Sequence, residues 1–514
     1  MSVHRKIAPP EGHGEVLCDP PYPTWHEHLT ANRAAVGTWP AALRERRTAA
    51  REEFLALAQT YTRALGIDAP EPAPDAPIVL TGHQPELYHP GVWVKVFLLQ
   101  RLAEDAGAIA VDLVVDTDRA GAVGARLPWL GAPVEVRTVV LAQPGDATFA
   151  QSPVPDDAQR ADFRERGAEV LERLPAPALS HHFGAYCDAL DAAASRADDL
   201  GGMLTAARRA FEAPAGSWYL QAPVSGVAKL AAYRAWALDV LSDAARFREV
   251  MNDALRSYRA RTGTRSAAQP FPDLEQRGDR VEVPFWLLRD GTRERVWVDA
   301  HGSLYLGEGA APDPAGTTVR DLGSRAGDAV LAPKAITLTL FARLFLGDYF
   351  IHGTGGGRYD RVTDAVIRAF YGIEPPRFAV ASMTLLLPLG AHVVTDEEVA
   401  ALTQRLNRLE HNPDAMLDEL EFDDDAEYAR AHELADRKAR LVREIAGPDA
   451  DKKSIGAEIR EVNGALVTLL EPVVRETRAA LERARAAQAA SDVLTDRTYP
   501  FCLWDPREVA DKVR

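Results

Sequence analysis

Two short apolar runs constrain this chain more than any other feature. Ile78-Val79-Leu80 and the stretch from Ile109 to Val115 are apolar at nearly every position. A strand with one wet face alternates apolar and polar residues. A strand apolar on both sides must be covered on both sides, as in a parallel sheet sandwiched by helices. Between the two runs lie a loop, Thr81 to Pro90, and a helical pattern, Gly91 to Ala106, stopped near Gly107. Strand, loop, helix, strand within about forty residues is a βαβ unit, so the expected class is α/β with a mainly parallel sheet.

The remaining segments are read around that unit. Residues 1–74 form an N-terminal segment, extended at first and helical from Pro40 to Leu65, followed by a proline-rich linker, Pro70 to Pro77. Residues 75–395 form the core, with a helical insertion at about 150–265 that includes one long helix from Val227 to Arg261. A small β-rich insertion, an antiparallel meander, is expected at about 280–306. There Val281, Val283 and Phe285 alternate with polar residues, and Asp290-Gly291 and His301-Gly302 signal turns. Leu331 to Tyr371 reads as helix, strand, glycine-rich loop, helix. In residues 396–490, Ile455, Ile459, Val462, Leu466, Leu469 and Val473 are spaced four, three, four, three, four. That is an a/d seam, and with the capping box Thr395 to Glu398 and the break at Gly447-Pro448-Asp449 it predicts an antiparallel α-helical coiled coil. The plainer alternative is a helical layer against the core. The acidic run Asp418 to Glu427 reads as a solvated face, and 491–514 as a C-terminal tail.

Composition narrows the function classes. The chain has 514 residues, enough for about three structural units. Its 59 basic and 75 acidic side chains leave a net charge of −16. Nucleic acids and anionic membranes both require a basic footprint, so neither is expected as a partner. Cys18, Cys187 and Cys502 are far apart and form no CxxC, which fits a reducing compartment without disulfides or a thiolate zinc site. The N-terminus has no apolar signal region. The most apolar long stretch, Leu331 to Ile351, is interrupted by Lys334, Arg343 and Asp348 and reads as core. A cytoplasmic protein is expected.

Three strings carry candidate chemistry. Thr81-Gly82-His83-Gln84 follows the first strand, where ligands of parallel sheets bind. Gly82 lets backbone approach a ligand, His83 can exchange a proton, and Lys95 in the following helix adds positive charge. The plain reading is a tight turn with His83 and Gln84 capping the helix. Asp116-Thr117-Asp118 ends the second run; Asp116 and Asp118 can hold an amine or hydroxyls, or can simply make an Asx turn. With His89 they complete a set of His83, His89, Asp116 and Asp118 whose spacing matches no strong metal motif, so no metal is expected. The third string is His352-Gly353-Thr354-Gly355-Gly356-Gly357-Arg358-Tyr359-Asp360. The run of glycines can expose successive N–H groups to an anion, Arg358 can pair with a carboxylate or phosphate, and Tyr359 and Asp360 can orient a substrate. A flexible hinge is the bland alternative.

Leu80 to Gln84 with Trp93, Lys95 and Leu102, then Asp116 to Asp118, Phe350 to Asp360, Pro375-Pro376 and Ser382, resemble the cysteine-adding enzymes of bacillithiol biosynthesis. The resemblance spans roughly residues 75 to 395 in order, plus the helical arms. It implies a Rossmann-like core, a coiled coil that mediates dimerisation, and a reaction joining cysteine to a glucosamine–malate conjugate. This chain departs from that pattern. His83 stands where the family has glutamine, the second strand ends Asp-Thr-Asp, and His-Gly-Thr-Gly-Gly-Gly replaces a glycine-proline-glycine-glutamate turn. Those departures leave room for another amine or thiol.

The resulting expectation is a ligase- or transferase-type enzyme acting on a small-molecule substrate. His83, His352 and Asp118 are its catalytic candidates. Gly82, Gln84, Lys95, Asp116, Gly355, Gly356, Gly357, Arg358, Tyr359 and Asp360 are its binding candidates. No cofactor is fixed by these residues, though ATP or another nucleotide suits the anion-cradling strings. A homodimer through the C-terminal helices is expected. The competing reading is a non-catalytic nucleotide- or metabolite-binding protein whose coiled coil serves assembly.

Overall fold

The computed structural model describes residues 7–514 except 69–70, 72, 74, 132, 267–270, 290, 314–315, 317, 320, 322–329, 391–393, 423 and 449. The turn residue Asp290, three prolines of the proposed linker, Asp423 and Asp449 therefore lie outside the described residues. The chain divides into two compact units. One comprises residues 1–127, 137–387 and 497–514, and the other residues 128–136 and 388–496.

The first unit begins with β1 (Val16–Asp19), α1 (Trp25–Val36) and α2 (Ala41–Ala64), then the βαβ unit of β2 (Ile78–His83), α3 (Pro90–Ala106) and β3 (Ile109–Val114). β2 is three residues longer than the apolar run that announced it, so Thr81, Gly82 and His83 close a strand rather than open a loop. His89, not His83 or Gln84, caps α3: its Nδ1 accepts from the N–H of Gly91 at 3.1 Å, with Pro90 at the first helical position. Gly107 ends the helix in the left-handed conformation, φ 58°.

A long hairpin, β4 (Arg119–Trp129) and β5 (Glu135–Thr148), comes next, and then α4 (Asp157–Leu171), α5 (Pro177–Ala194), α6 (Leu200–Glu212) and β6 (Leu220–Pro223). The single helix expected from Val227 to Arg261 is three: α7 (Val224–Val227), α8 (Ala231–Ser242) and α9 (Ala244–Thr262), broken at Asp243, whose φ of −119° is not helical. The expected meander is a larger antiparallel sheet. Its strands are β7 (Gln276–Arg277), β8 (Arg280–Arg289), β9 (Thr292–Val298), β10 (Leu304–Leu306), β11 (Ala311–Pro312) and β12 (Val330–Pro333), in the order β11-β10-β9-β8-β12 with β7 also on β8. The β8–β9 register slips between Glu282 and Trp286. Such bulges bend a strand and re-aim its side chains.

The chain then makes α10 (Ala335–Phe341), extended as a π-helical turn to Leu346, β13 (Tyr349–His352), α11 (Thr354–Val366) and β14 (Ala379–Met383). The glycine-rich string is thus not a loop; Gly355, Gly356 and Gly357 form the first turn of α11. Glycine is a poor helix former, but packing demands it at Gly357, where a Cβ would lie 2.2 Å from Val380 Cγ2 of β14.

The main sheet has the order β1-β14-β13-β2-β3-β6. β14, β13, β2, β3 and β6 are mutually parallel, and β1 adds an antiparallel edge. From β2 the chain builds outward to β3 and β6, and later returns to the other side of β2 with β13 and β14. The order therefore reverses between β2 and β13. Ile78, Leu80, Val111, Leu113 and Leu220 join the apolar core with Trp236, Phe341 and Phe345.

The second unit contains α12 (Asp396–His411), α13 (Asp425–Ile445), α14 (Lys452–Leu469) and α15 (Glu471–Leu494). The Thr395–Glu398 capping box is present. α13 packs on α14, and α12 on α15. The seam read as continuous is interrupted at Leu470, where Pro472 in the first turn of α15 cannot continue the preceding helix. Leu409, Leu434, Ile455, Val462, Leu466 and Val474 share one apolar cluster, and Leu466 is wholly buried by this chain's own helices. No described helix is long and apolar enough to cross a membrane.

Candidate functional site

A cavity of about 830 Å³ lies within the first unit, in the size range of small-molecule sites. Its floor is the carboxyl edge of the parallel sheet. His83 and Gln84 come from the end of β2, Thr117 and Asp118 from the turn after β3, His352 and Gly353 from the end of β13, and Ser382 from β14. Lys95 of α3 and the first turn of α11 complete that side. The opposite wall comes from the antiparallel sheet and its surroundings: Glu282, Trp286, Arg293, Arg295 and Lys334. The cavity therefore spans the position where strand order reverses, between β2 and β13, the usual ligand position in open parallel sheets.

Of the expected site residues, Gly82, His83, Gln84, Lys95, Asp118, His352, Gly355 and Gly356 line this one cavity. The other five do not. Asp116 is buried and accepts from the Ser225 backbone N–H at 2.8 Å and from its hydroxyl, which anchors the end of β3. Burial raises its carboxyl to about 6, against the opposing Ser225 bonds. Gly357 packs on Val380, Arg358 donates to the Ile7 carbonyl at 3.0 Å, and the Tyr359 ring meets Phe271 edge-on at 5.1 Å. Asp360 forms a buried ion pair with Arg343 at 2.5 Å. These five residues serve the fold and lie off the cavity.

Gly82 has a packing role besides its place in the wall: a Cβ there would lie 3.0 Å from the Leu113 backbone oxygen on β3. Gly355, by contrast, has open space where a Cβ would be. The first turn of α11 has no side-chain cap, and the first turn of any helix leaves N–H groups without intrahelical partners. Donors of this kind suit a phosphate or carboxylate.

His83 Nδ1 lies 3.2 Å from the Gln84 carbonyl oxygen. A carbonyl only accepts, so Nδ1 carries the proton and Nε2 is left as an acceptor. The side chain is 29% exposed, but the space it lines is the cavity, where protein replaces bulk water. Burial, helped by the nearby Lys95 charge, lowers its pKa to about 3. His83 is thus neutral at pH 7 and offers Nε2 as a hydrogen-bond acceptor, which leaves only the acceptor side of its expected role. His352 is buried between Phe350, stacked at 4.3 Å, and Phe378, with Nε2 3.0 Å from Asp360 Oδ2 but not aligned for a hydrogen bond.

Asp118 is held from both walls. Gln84 Nε2 donates to it at 2.9 Å, and Arg293 of β9 forms an ion pair with it. The Arg293 guanidinium and the Lys334 ammonium each lie 4.5 Å from the Trp286 ring centroid. Glu282 accepts from Lys334 at 2.5 Å and from Arg295 at 2.5 and 3.0 Å. Burial alone would raise its carboxyl, but these two cations outweigh it and hold the pKa below the usual glutamate value. Arg497 also lines the cavity, where it donates to Ser382 and Thr384.

No protein-family model matches this chain. No curated protein matches it either. Among the described residues, no group of three or more His, Cys, Asp or Glu is placed to hold a metal ion.

Sequence reasoning missed the second wall. Arg293 and Arg295 alternate along β9, which is also how a solvated strand face reads. Nothing in the sequence near Arg497 distinguishes it from a surface arginine.

Proposed function

We propose that this chain is a ligase- or transferase-type enzyme that joins an amine- or thiol-bearing small molecule, such as cysteine, to a small anionic or sugar-like acceptor. On this reading the main sheet is Rossmann-like, and the chain is a divergent relative of the cysteine-adding enzymes it resembles. The observation that carries the proposal is the position of the cavity over the β2/β13 reversal, with the uncapped turn of α11 on one side and His83 on another. The first turn of α11 takes the anionic group of one substrate, a nucleotide phosphate included. Nε2 of His83 accepts a hydrogen bond from the amine or thiol nucleophile, and Asp118 orients that nucleophile from the other side. Enclosure of both partners in one space gives the proximity that a condensation requires.

The test is direct coupling. Cysteine and a glucosamine–malate conjugate, followed by other small amines and thiols, are incubated with the protein with and without ATP. Products are read by mass. A coupled product is expected, and His83→Ala should slow its formation by about tenfold, the usual effect of losing one orienting hydrogen bond. Absence of any coupled product, or full turnover by the variant, would overturn the reading.

The proposal includes a homodimer through a coiled coil of the C-terminal helices. Tyr428 and Val442 on α13 are 50% and 49% exposed, unusual for large apolar side chains, and offer contact area to a second copy. Sedimentation should give twice the 56.0 kDa chain mass at micromolar concentration. A monomer throughout that range would remove this part.

A further inference from the structure

Of the 59 basic side chains only eight are lysine, so arginine supplies nearly every positive charge in the chain. Two of the eight, Lys95 and Lys334, line the same cavity. Arginine stays protonated at any physiological pH, whereas a buried lysine can lose its proton and become a nucleophile. In a chain that otherwise uses arginine, a lysine at these positions suggests chemistry rather than charge alone.

The two lysines differ. Lys334 is engaged by Glu282 at 2.5 Å and by the Trp286 ring, and although burial lowers its pKa, the Glu282 carboxylate opposes that loss of charge. Lys95 is 3% exposed, and its Nζ donates to the Gly82 carbonyl at 2.8 Å. Among the described residues it has no ion-pair partner within 4.0 Å. The amine is therefore fixed at the end of β2 with donor capacity left over. The ends of β2 and β13 are in step, since Thr81 Oγ1 donates to the Ile351 carbonyl at 2.8 Å. That places Gly82, and the amine bonded to it, alongside the strand that leads directly into the first turn of α11.

We propose that Lys95 is a nucleophilic amine that forms an imine with an aldehyde- or ketone-bearing ligand of this cavity. The neutral amine adds to the carbonyl carbon, making the C–N bond. A nitrogen proton passes to the former carbonyl oxygen, and loss of water gives the imine. An open-chain sugar carries such a carbonyl, so the inference refines the acceptor class proposed above and rests on that reading only in treating the cavity as a substrate site. Burial lowers the Lys95 pKa to about 8 against the attraction of Asp112 on β3, and Arg208 on α6 adds to the lowering. His83 on β2, also near Lys95, is neutral. A useful fraction of the amine is therefore unprotonated at neutral pH.

The experiment treats the full-length protein with glyceraldehyde and sodium cyanoborohydride between pH 6 and 11, mapping adducts by peptide mass. At pH 7 Lys95 should gain adduct roughly tenfold faster than exposed Lys229 or Lys452, because far more of it is neutral than of an ordinary lysine. Its rate should level off above about pH 8 while theirs keep rising. Lys334, in the same cavity but ion-paired, should lag behind Lys95. Labelling of Lys95 no faster than the exposed lysines, or without the plateau, would overturn the proposal. No second substrate is present, so a failed coupling assay leaves this result standing, and a failed labelling leaves the coupling assay untouched.

Discussion

Asp360→Ala should lower the stability of the first unit by about 3–5 kcal/mol, the usual effect of removing one partner of a buried ion pair. Asp360 is 2% exposed, and Arg343 beside it is 3% exposed. The guanidinium bridges Asp360 at 2.5 Å, Asp364 at 2.7 Å and the Pro376 carbonyl, tying α10 and its π-helical turn to α11 and to the approach to β14. Without Asp360 a buried guanidinium keeps one carboxylate, which is itself 22% exposed. The measurement is the denaturation midpoint of wild type and variant. Burial alone would raise the Asp360 pKa, but the attraction of Arg343 and His352 holds it well below the usual carboxylate range. A carboxyl with a depressed folded-state pKa contributes stability that is complete above its unfolded value, about 3.9, and is lost as pH falls below it. The wild type should therefore lose this increment in acid, and the variant should show a flatter acid limb. If Asp360 instead held substrate, the variant would fold with wild-type stability and show only a raised KM.

Glu212→Ala should be comparably damaging, again about 3–5 kcal/mol. The Glu212 carboxylate is completely buried at the end of α6. It accepts from Trp93 Nε1 at 2.7 Å, Arg208 at 3.2 Å, Arg209 at 3.4 Å and the Tyr219 hydroxyl. Arg208 continues to Asp112 on β3 at 2.6 Å. Removal of the carboxylate leaves Arg209 without its ion pair and Trp93 without an acceptor, and both costs are paid inside the protein, where water cannot substitute. Glu212→Gln keeps one acceptor oxygen and the shape, so its loss should be smaller. Equal midpoints for the alanine variant and the wild type would show that the network contributes nothing. Because Arg208 and Asp112 also act on Lys95, the glutamine variant should shift the pH at which Lys95 labelling levels off.

The parts of the fold that could be read from sequence were those where apolar pattern and topology agree. Ile78 to Leu80 and Ile109 to Val114 had no stable place except a covered parallel sheet, and Thr395 to Glu398 announced a helix start by its own chemistry. β1 is only four residues, too short for a periodic signal. β4 reads Arg-Ala-Gly-Ala-Val-Gly-Ala, a composition with weak strand preference whose pairing with β5 decides the outcome. The glycine run looked like a loop because glycine disfavours helix; close contact with Val380 and His352 at the first turn of α11 outweighs that preference. At the site, side chains next to strand ends reached the cavity, since topology alone puts them there. Arg358, Tyr359 and Asp360 follow the same strand but lie along a helix, so its rotation carries them toward Ile7, Phe271 and Arg343.

The division of the chain into units has a consequence for biosynthesis. The second unit draws all but nine of its residues from one continuous stretch, 388–496, and the first cannot be completed until residues 497–514 have emerged. Phe501, from that last segment, packs among Tyr88, Trp93, Tyr186 and Phe211, and Arg497 fastens onto Ser382 and Thr384. On the ribosome, the nascent parallel sheet is therefore expected to stand with one aromatic pocket unfilled while the helical unit is made. The unit whose synthesis starts first should then be the last to close, against the usual order in which amino-terminal parts fold first.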